Sequence, residues 1–332
     1  MLTYKVLTFI FYEYRLRIKK TISIYDFTSP LIILSIISGL LSIIRYLPTD
    51  IGFIINDTWP IISNGEIKTQ LYWGRLWGTM GGTNSAGNYF TVLSLLSLSI
   101  FYFKNKKIYL YPYLIFSLCV LLSLSFTSIF SYLVGLLYIF YSRINLKVMI
   151  SAIMISFALI FIANQNETIN KIIVKRIGAN FSAENRKGSI LPENLQARIG
   201  YWTNFLKISN DKQLHFIYGF GPGGARIQKK NYRNLNIHGN PESFYFRIYN
   251  ESGFIGISAF IFLFFYLYRR LLYLKKIISF KTNFIFINLI LLLIVIQSIT
   301  NEPIYSNGVT QIFTFILFYI STEYSNYKFS KN

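Results

Sequence analysis

The chain has 332 residues, 53% of them hydrophobic and only 14% charged, where a soluble domain carries about 25% charged residues; an ordinary soluble fold is excluded. The net charge of +20 would suit a nucleic-acid binder, but the basic residues flank apolar runs instead of forming one stripe, so that class is excluded too. One cysteine, Cys119, rules out an internal disulfide, and two histidines, His215 and His238, are too few for a histidine-rich metal site.

The apolar residues are gathered into runs without strand or surface-helix periodicity, as expected of segments whose solvent is lipid. The opening stretch MLTYKVLTFIFYEYRLRIKK is interrupted by charge too soon for a signal peptide. Residues 1–28 read as a cytoplasmic or interfacial segment, with 2–12 a partial element lying in the interface. Runs suited to spanning helices follow at 29–48, 86–103, 108–125, 126–142 and 148–164, making a first group over 29–164. The stretch 108–141 is longer than one span needs, and a break is expected near Ser125–Ser128. A polar segment covers 165–250. Three more runs, 251–268, 283–299 and 307–321, complete a second group over 251–321, and a tail of 322–332 ends the chain.

Basic clusters at Arg15, Arg17, Lys19 and Lys20, at Lys104, Lys106 and Lys107, at Arg143 and Lys147, at Arg269, Arg270, Lys275, Lys276 and Lys281, and at Lys328 and Lys331 all fall on one side if every run spans. The positive-inside rule makes that side cytoplasmic. The expected fold is an all-α polytopic integral membrane protein of the bacterial inner (plasma) membrane. It has about eight transmembrane helices, both termini in the cytoplasm, and one large extracytoplasmic loop containing short amphipathic helices.

That loop, 165–250, carries thirteen basic and five acidic residues, a net charge of +8. Tethered at both ends to spans, it suits an anionic ligand at the membrane surface. A lipid pyrophosphate, gripped by the planar fork of arginine, and plain attraction to anionic headgroups are both consistent with charge alone. Within the loop, Asn194–Lys207 places Leu195, Ile199, Trp202 and Leu206 on one helical face, flanked by Phe205. This reads as a helix in the interface anchored by Trp202, with Arg198 one turn earlier near the membrane surface; the alternative is an ordinary surface helix with Arg198 in solvent. In Tyr218-Gly-Phe-Gly-Pro-Gly-Gly224, residues such as Gly221 permit a tight turn whose N–H groups could face a phosphate, although the Lys-Ser/Thr ending of a P-loop is missing. Glu242, in His238-Gly-Asn-Pro-Glu-Ser-Phe, sits where the loop meets the next span. It is either a base for a sugar hydroxyl or a first-turn helix residue favoured by the helix dipole. His238 reads as a loop residue.

Taken in order, Arg198…Trp202…Gly219-Phe-Gly221 and then Glu242-Ser-Phe-Tyr-Phe-Arg-Ile-Tyr-Asn-Glu-Ser-Gly-Phe-Ile-Gly256 resemble the O-antigen ligase/polymerase superfamily. Upstream, Arg75-Leu-Trp-Gly78-Thr-Met-Gly-Gly-Thr-Asn84 looks like that family's approach to a span, and Ser125–Gly135 is similar to its serine-rich helix pair. The resemblance covers roughly 72–268. It implies a glycosyltransferase that uses an undecaprenyl-pyrophosphate-linked glycan as donor, with no metal, nucleotide sugar or other cofactor. By motif position, Arg75 and Arg198 would bind the pyrophosphate and stabilise it as leaving group, Glu242 would act beside them, and Arg226, Arg247, His238, Trp202 and Gly221 would contact substrate.

The Glu-Ser-Phe-Tyr form looks more like capsule or O-antigen polymerases than ligases, whose branch commonly has His-Asn at Pro241-Glu242. The polymerase is therefore expected, joining repeat units on the carrier, and the ligase, passing glycan to an acceptor such as lipid A core, is the alternative. Expected partners are the lipid-linked glycan, membrane lipids, a chain-length regulator and a flippase. Family members usually have more spans before the Arg75 motif, so the chain reads as lacking N-terminal helices or as a reduced member. A non-catalytic assembly partner is a further alternative. A lipid-linked glycan transporter is disfavoured because the span interiors are nearly free of charge.

Overall fold

The computed structural model of the chain describes residues 24–46, 61–63, 66–68, 76, 82–143, 193–211, 213–231, 243–276, 281–300 and isolated positions of 309–323. They divide between two compact units. One comprises Met1–Ile160, Arg269–Gln297 and Pro303–Asn332, and the other Phe161–Tyr268 with Ser298–Glu302.

In the first unit, helix α1 (Ile24–Tyr46), α2 (Thr83–Lys104), α3 (Leu110–Leu122), α4 (Phe126–Arg143) and most of α9 (Lys281–Thr300) are built from the expected apolar runs. A short antiparallel ribbon, β1 (Ile61–Ser63) with β2 (Glu66–Lys68), departs from the all-α expectation. Its strands of three residues are too short to show a period-two pattern beside the neighbouring apolar runs. The expected break in 108–141 is present: α3 ends at Leu122, Leu124 takes a positive φ of 47°, and α4 begins at Phe126. The backbone N–H of Leu76, next to Arg75, donates to the Leu122 carbonyl at this break (2.9 Å), and Leu76 is fully buried.

Helix α2 is buried along Ala86–Ile100 although it carries Asn88, Thr91, Ser94, Ser97 and Ser99. These groups find partners inside the protein. Ser94 and Ser117 hydroxyls lie 2.7 Å apart, Ser117 lies 2.9 Å from the Tyr132 hydroxyl, and Tyr132 donates to Tyr113 at 2.9 Å. Near the other end of α2, the Ser128 hydroxyl is 2.9 Å from both Asn88 Oδ1 and Ser125 Oγ. Small residues make this closeness possible: a Cβ on Gly87 would fall 2.5 Å from Ser128 Oγ and 2.7 Å from Ser123 Oγ. Close backbone approach with hydroxyls bonding across helices is how apolar helices associate where lipid supplies no hydrophobic drive between them.

In the second unit, α5 (Glu193–Asp211), α6 (Gln213–Tyr218) and α7 (Gly224–Asn231) precede most of the long α8 (Phe244–Leu274). Helix α5 has the expected helical pattern, and a second face packs against protein. Phe205 and Ile208 are buried with Ala225, and Tyr201 and Phe220 pack against them, whereas Ile199 and Leu206 are exposed. Helix α8 starts at Phe244, ahead of the span expected from 251, because Phe244, Tyr245, Phe246, Ile248 and Tyr249 continue its apolar character.

Among the described residues, three helices, Thr28–Tyr46 within α1, α2 and α8, are long and apolar enough to cross a membrane; Lys107–Leu122, Phe126–Tyr141 and Asn283–Ile299 are shorter apolar helices. The span expected at 148–164 lies outside the described residues, and the described positions between 309 and 320 are helical. The chain is an integral membrane protein.

Candidate functional site

The site is organised by an interruption in α8. Gly253 adopts φ 61°, ψ −156°, far from helical values. A break there withdraws the amides that would otherwise bond the carbonyls of the preceding turn. The glycine-rich turn after α6 supplies replacements: the Phe220 N–H donates to the Asn250 carbonyl (2.7 Å) and the Gly221 N–H to the Glu251 carbonyl (3.0 Å). The two backbones meet where neither has a side chain. A Cβ on Gly219, itself at φ 73°, would stand 2.5 Å from Glu251 C and Ser252 N, and one on Gly253 would strike the Ile217 carbonyl. Only glycine supplies both the positive φ and the missing side chain at such a crossing.

Side chains extend the junction. Glu251 Oε1 accepts from Arg247 Nε at 3.1 Å and from the Gly223 N–H at 3.2 Å. The pair is half-enclosed, with the Arg247 side chain 30% and the Glu251 side chain 17% exposed. Asn250 Nδ2 donates to Gln228 Oε1 at 2.9 Å, and both amides are buried. That bond ties α7 to α8. His215 stacks on Phe220 (centroids 4.0 Å apart), and its Nδ1 lies 3.0 Å from the Gly219 carbonyl; a carbonyl can only accept, so Nδ1 carries the proton. On the other side, Trp202 of α5 stacks face to face on Phe246 of α8, with centroids 4.8 Å apart and planes 8° from parallel.

These contacts place the expected residues. The Trp202–Phe246 stack brings the helix carrying Arg198 against the helix carrying Arg247. Arg198 is partly buried one turn before Trp202, and Arg247 directly follows Phe246. Arg226 is exposed on the first turn of α7. At Gly221 the N–H is bonded within the chain and the space a Cβ would enter is open. Most N–H groups of the turn are bonded in the same way: Gly219 to the His215 carbonyl, Gly224 to Gly221 and Arg226 to Gly223. The turn shapes the junction rather than presenting a ring of spare amides. Arg75, His238 and Glu242 lie outside the described residues.

Sequence reasoning passed over Glu251, Asn250, Gln228 and His215. The Arg247–Glu251 spacing of four on a helix is a recognisable signal that could have singled out Glu251. Nothing local marks Gln228, whose partner is in another helix.

Residues 111–261, a little under half of the chain, match the sequence model of the O-antigen ligase family. No curated protein and no solved structure gives a significant match. The matched stretch runs from α3 to the middle of α8 and takes in the glycine turn, the Arg247–Glu251 pair and the Gly253 break. Over that stretch the chain is similar to the O-antigen ligase family.

Proposed function

We infer that the protein is a glycosyltransferase that polymerises undecaprenyl-pyrophosphate-linked repeat units of an O-antigen or capsule at the extracytoplasmic membrane surface. The observation that carries this reading is the junction of α5, α7 and α8. Arg198, Arg226 and Arg247 lie on three helices held together by the Trp202–Phe246 stack and the Asn250–Gln228 bond. Arginines so held suit a diphosphate, whose oxygens match the guanidinium fork, and apolar α8 accounts for a donor that arrives on a lipid.

In the proposed reaction a hydroxyl of the acceptor repeat unit attacks the anomeric carbon of the donor sugar. The new glycosidic C–O bond forms as the bond from that carbon to the pyrophosphate oxygen breaks. The hydroxyl proton passes to a carboxylate, for which Glu242 is the proposed base. The departing undecaprenyl pyrophosphate keeps the electron pair, and Arg198 and Arg247, with Arg75 by its motif position, would offset its growing negative charge. His238 and Trp202 would contact the glycan. The growing chain moves to the incoming carrier-linked unit, so a flippase would supply substrate and a chain-length regulator would set when transfer ends.

The ligase is the second reading, favoured by the description of the matched family. A gel profile of lipid-linked and surface glycans with and without the gene separates the two. Loss of the long ladder, with single repeats still reaching the final acceptor, supports the polymerase. A ladder retained on the carrier but missing from the acceptor means ligase. For the base, Glu242→Ala should abolish product; normal polymer yield would remove Glu242 from the mechanism.

A further inference from the structure

Glu251 joins three parts of the junction. Its carbonyl accepts the Gly221 N–H, and its carboxylate accepts both the Gly223 N–H and Arg247 Nε through the same oxygen. An ion pair four residues apart on a partly exposed helix face contributes little to stability. Its effect on geometry is larger. Arginine has a long side chain with much rotamer freedom, and a bond to Nε fixes the direction in which the guanidinium plane points. Because the same oxygen also holds Gly223, one residue before α7 begins at Gly224, the direction of Arg247 is coupled to the start of the helix that carries Arg226.

We propose that Glu251 is a positioning residue for the donor diphosphate: it fixes the Arg247 guanidinium and the turn leading to Arg226 in one arrangement, so that both cations meet the same anionic group. This rests on the reading of Arg247 as a ligand of the donor phosphates. The carboxylate does not touch the donor; it acts through Arg247 and through the turn.

The test uses full-length protein reconstituted in lipid, with lipid-linked repeat units as substrate, and reads KM and kcat together with the thermal unfolding midpoint. Glu251→Ala should raise KM for the lipid-linked unit by roughly 10- to 100-fold, the scale of one hydrogen bond to a charged group. Glu251→Gln keeps an acceptor for Gly223 and a neutral one for Arg247, so it should fall between wild type and alanine, and it serves where the alanine variant fails to fold. The triple variant R226A/R247A/E251A should be no worse than R226A/R247A, since the carboxylate then has neither cation to position. A wild-type KM in E251A, or a further loss in the triple variant, would overturn the positioning role. If R247A has lost donor affinity while E251A and E251Q have not, the phosphate-binding reading stands and only this inference fails. If R247A and R198A both behave as wild type, the phosphate-binding reading itself fails and takes this inference with it.

Discussion

Two regions of the protein deal with buried polar groups in opposite ways. In the first unit, α2, α3 and α4 carry neutral hydroxyls and amides that pair across helices whose backbones stay regular, as in the Ser94–Ser117–Tyr132–Tyr113 chain. In the second, the helix itself is interrupted, a glycine-rich turn bonds to the freed carbonyls, and charged groups gather at the break. Neutral pairs are interchangeable and each contributes about 0.6 kcal/mol inside a membrane. A broken helix held by glycines at positive φ tolerates little change, and irregular backbone of this kind is retained where it shapes a site. The first region reads as scaffold and the second as the place of chemistry.

Substitutions can break that contrast. The largest effect is expected at the crossing of the turn and α8. Gly253→Val introduces a β-branched side chain at φ 61° against the Ile217 carbonyl, and should destabilise the second unit by about 3 kcal/mol. Thermal unfolding in detergent and protease sensitivity of the α6–α7 turn measure it. A stable, active G253V would mean that the break in α8 is incidental. Next comes Asn250→Leu, which leaves the buried Gln228 amide without its partner. A loss of roughly 1–3 kcal/mol is expected, with glycan product reduced in proportion to folded protein. In the first unit, Gly87→Ala puts a Cβ 2.5 Å from Ser128 Oγ, 2.7 Å from Ser123 Oγ and 2.9 Å from Ser128 Cβ, so these side chains or α2 must shift, which should cost about 1–2 kcal/mol. Ser117→Ala should cost least, about 0.6 kcal/mol, with polymer length unchanged. A sharp loss of polymer in S117A with the protein still folded would make the hydroxyl chain functional and erase the distinction between the two regions.

The apolar helices were legible because they are written as uninterrupted apolar runs, so α1, α2, α3, α4 and α9 follow the sequence closely, α1 and α2 of these being long enough to cross a membrane. Helix α5 was legible as a helix with an apolar face, of which Ile199 and Leu206 stay exposed within the protein while Trp202 stacks on Phe246. Its second apolar stripe, Tyr201, Phe205 and Ile208, packs against Ala225 and Phe220, and hydrophobicity alone does not single that stripe out. Spacing of the glycines announced a turn at 219–224. That its N–H groups are spent on α8 carbonyls depended on Gly253, some thirty residues away in sequence, and no local pattern reports such a pairing. Arg198, Arg226 and Arg247 were singled out by residue type and order, and Glu251 carries a local signal in its spacing of four from Arg247, whereas Gln228 emerges only when the helices are seen side by side.

The central claim is that the arginines of the second unit bind the donor pyrophosphate, and it is tested most directly at Arg198. Lipid-linked and surface glycans should be compared on gels from a deletion strain complemented with wild type, Arg198→Ala or Arg198→Lys, at matched protein levels. The account predicts that R198A loses most of the long-chain ladder while single repeats accumulate, and that R198K restores little, because lysine keeps the charge without the fork. A full ladder in R198A would contradict it.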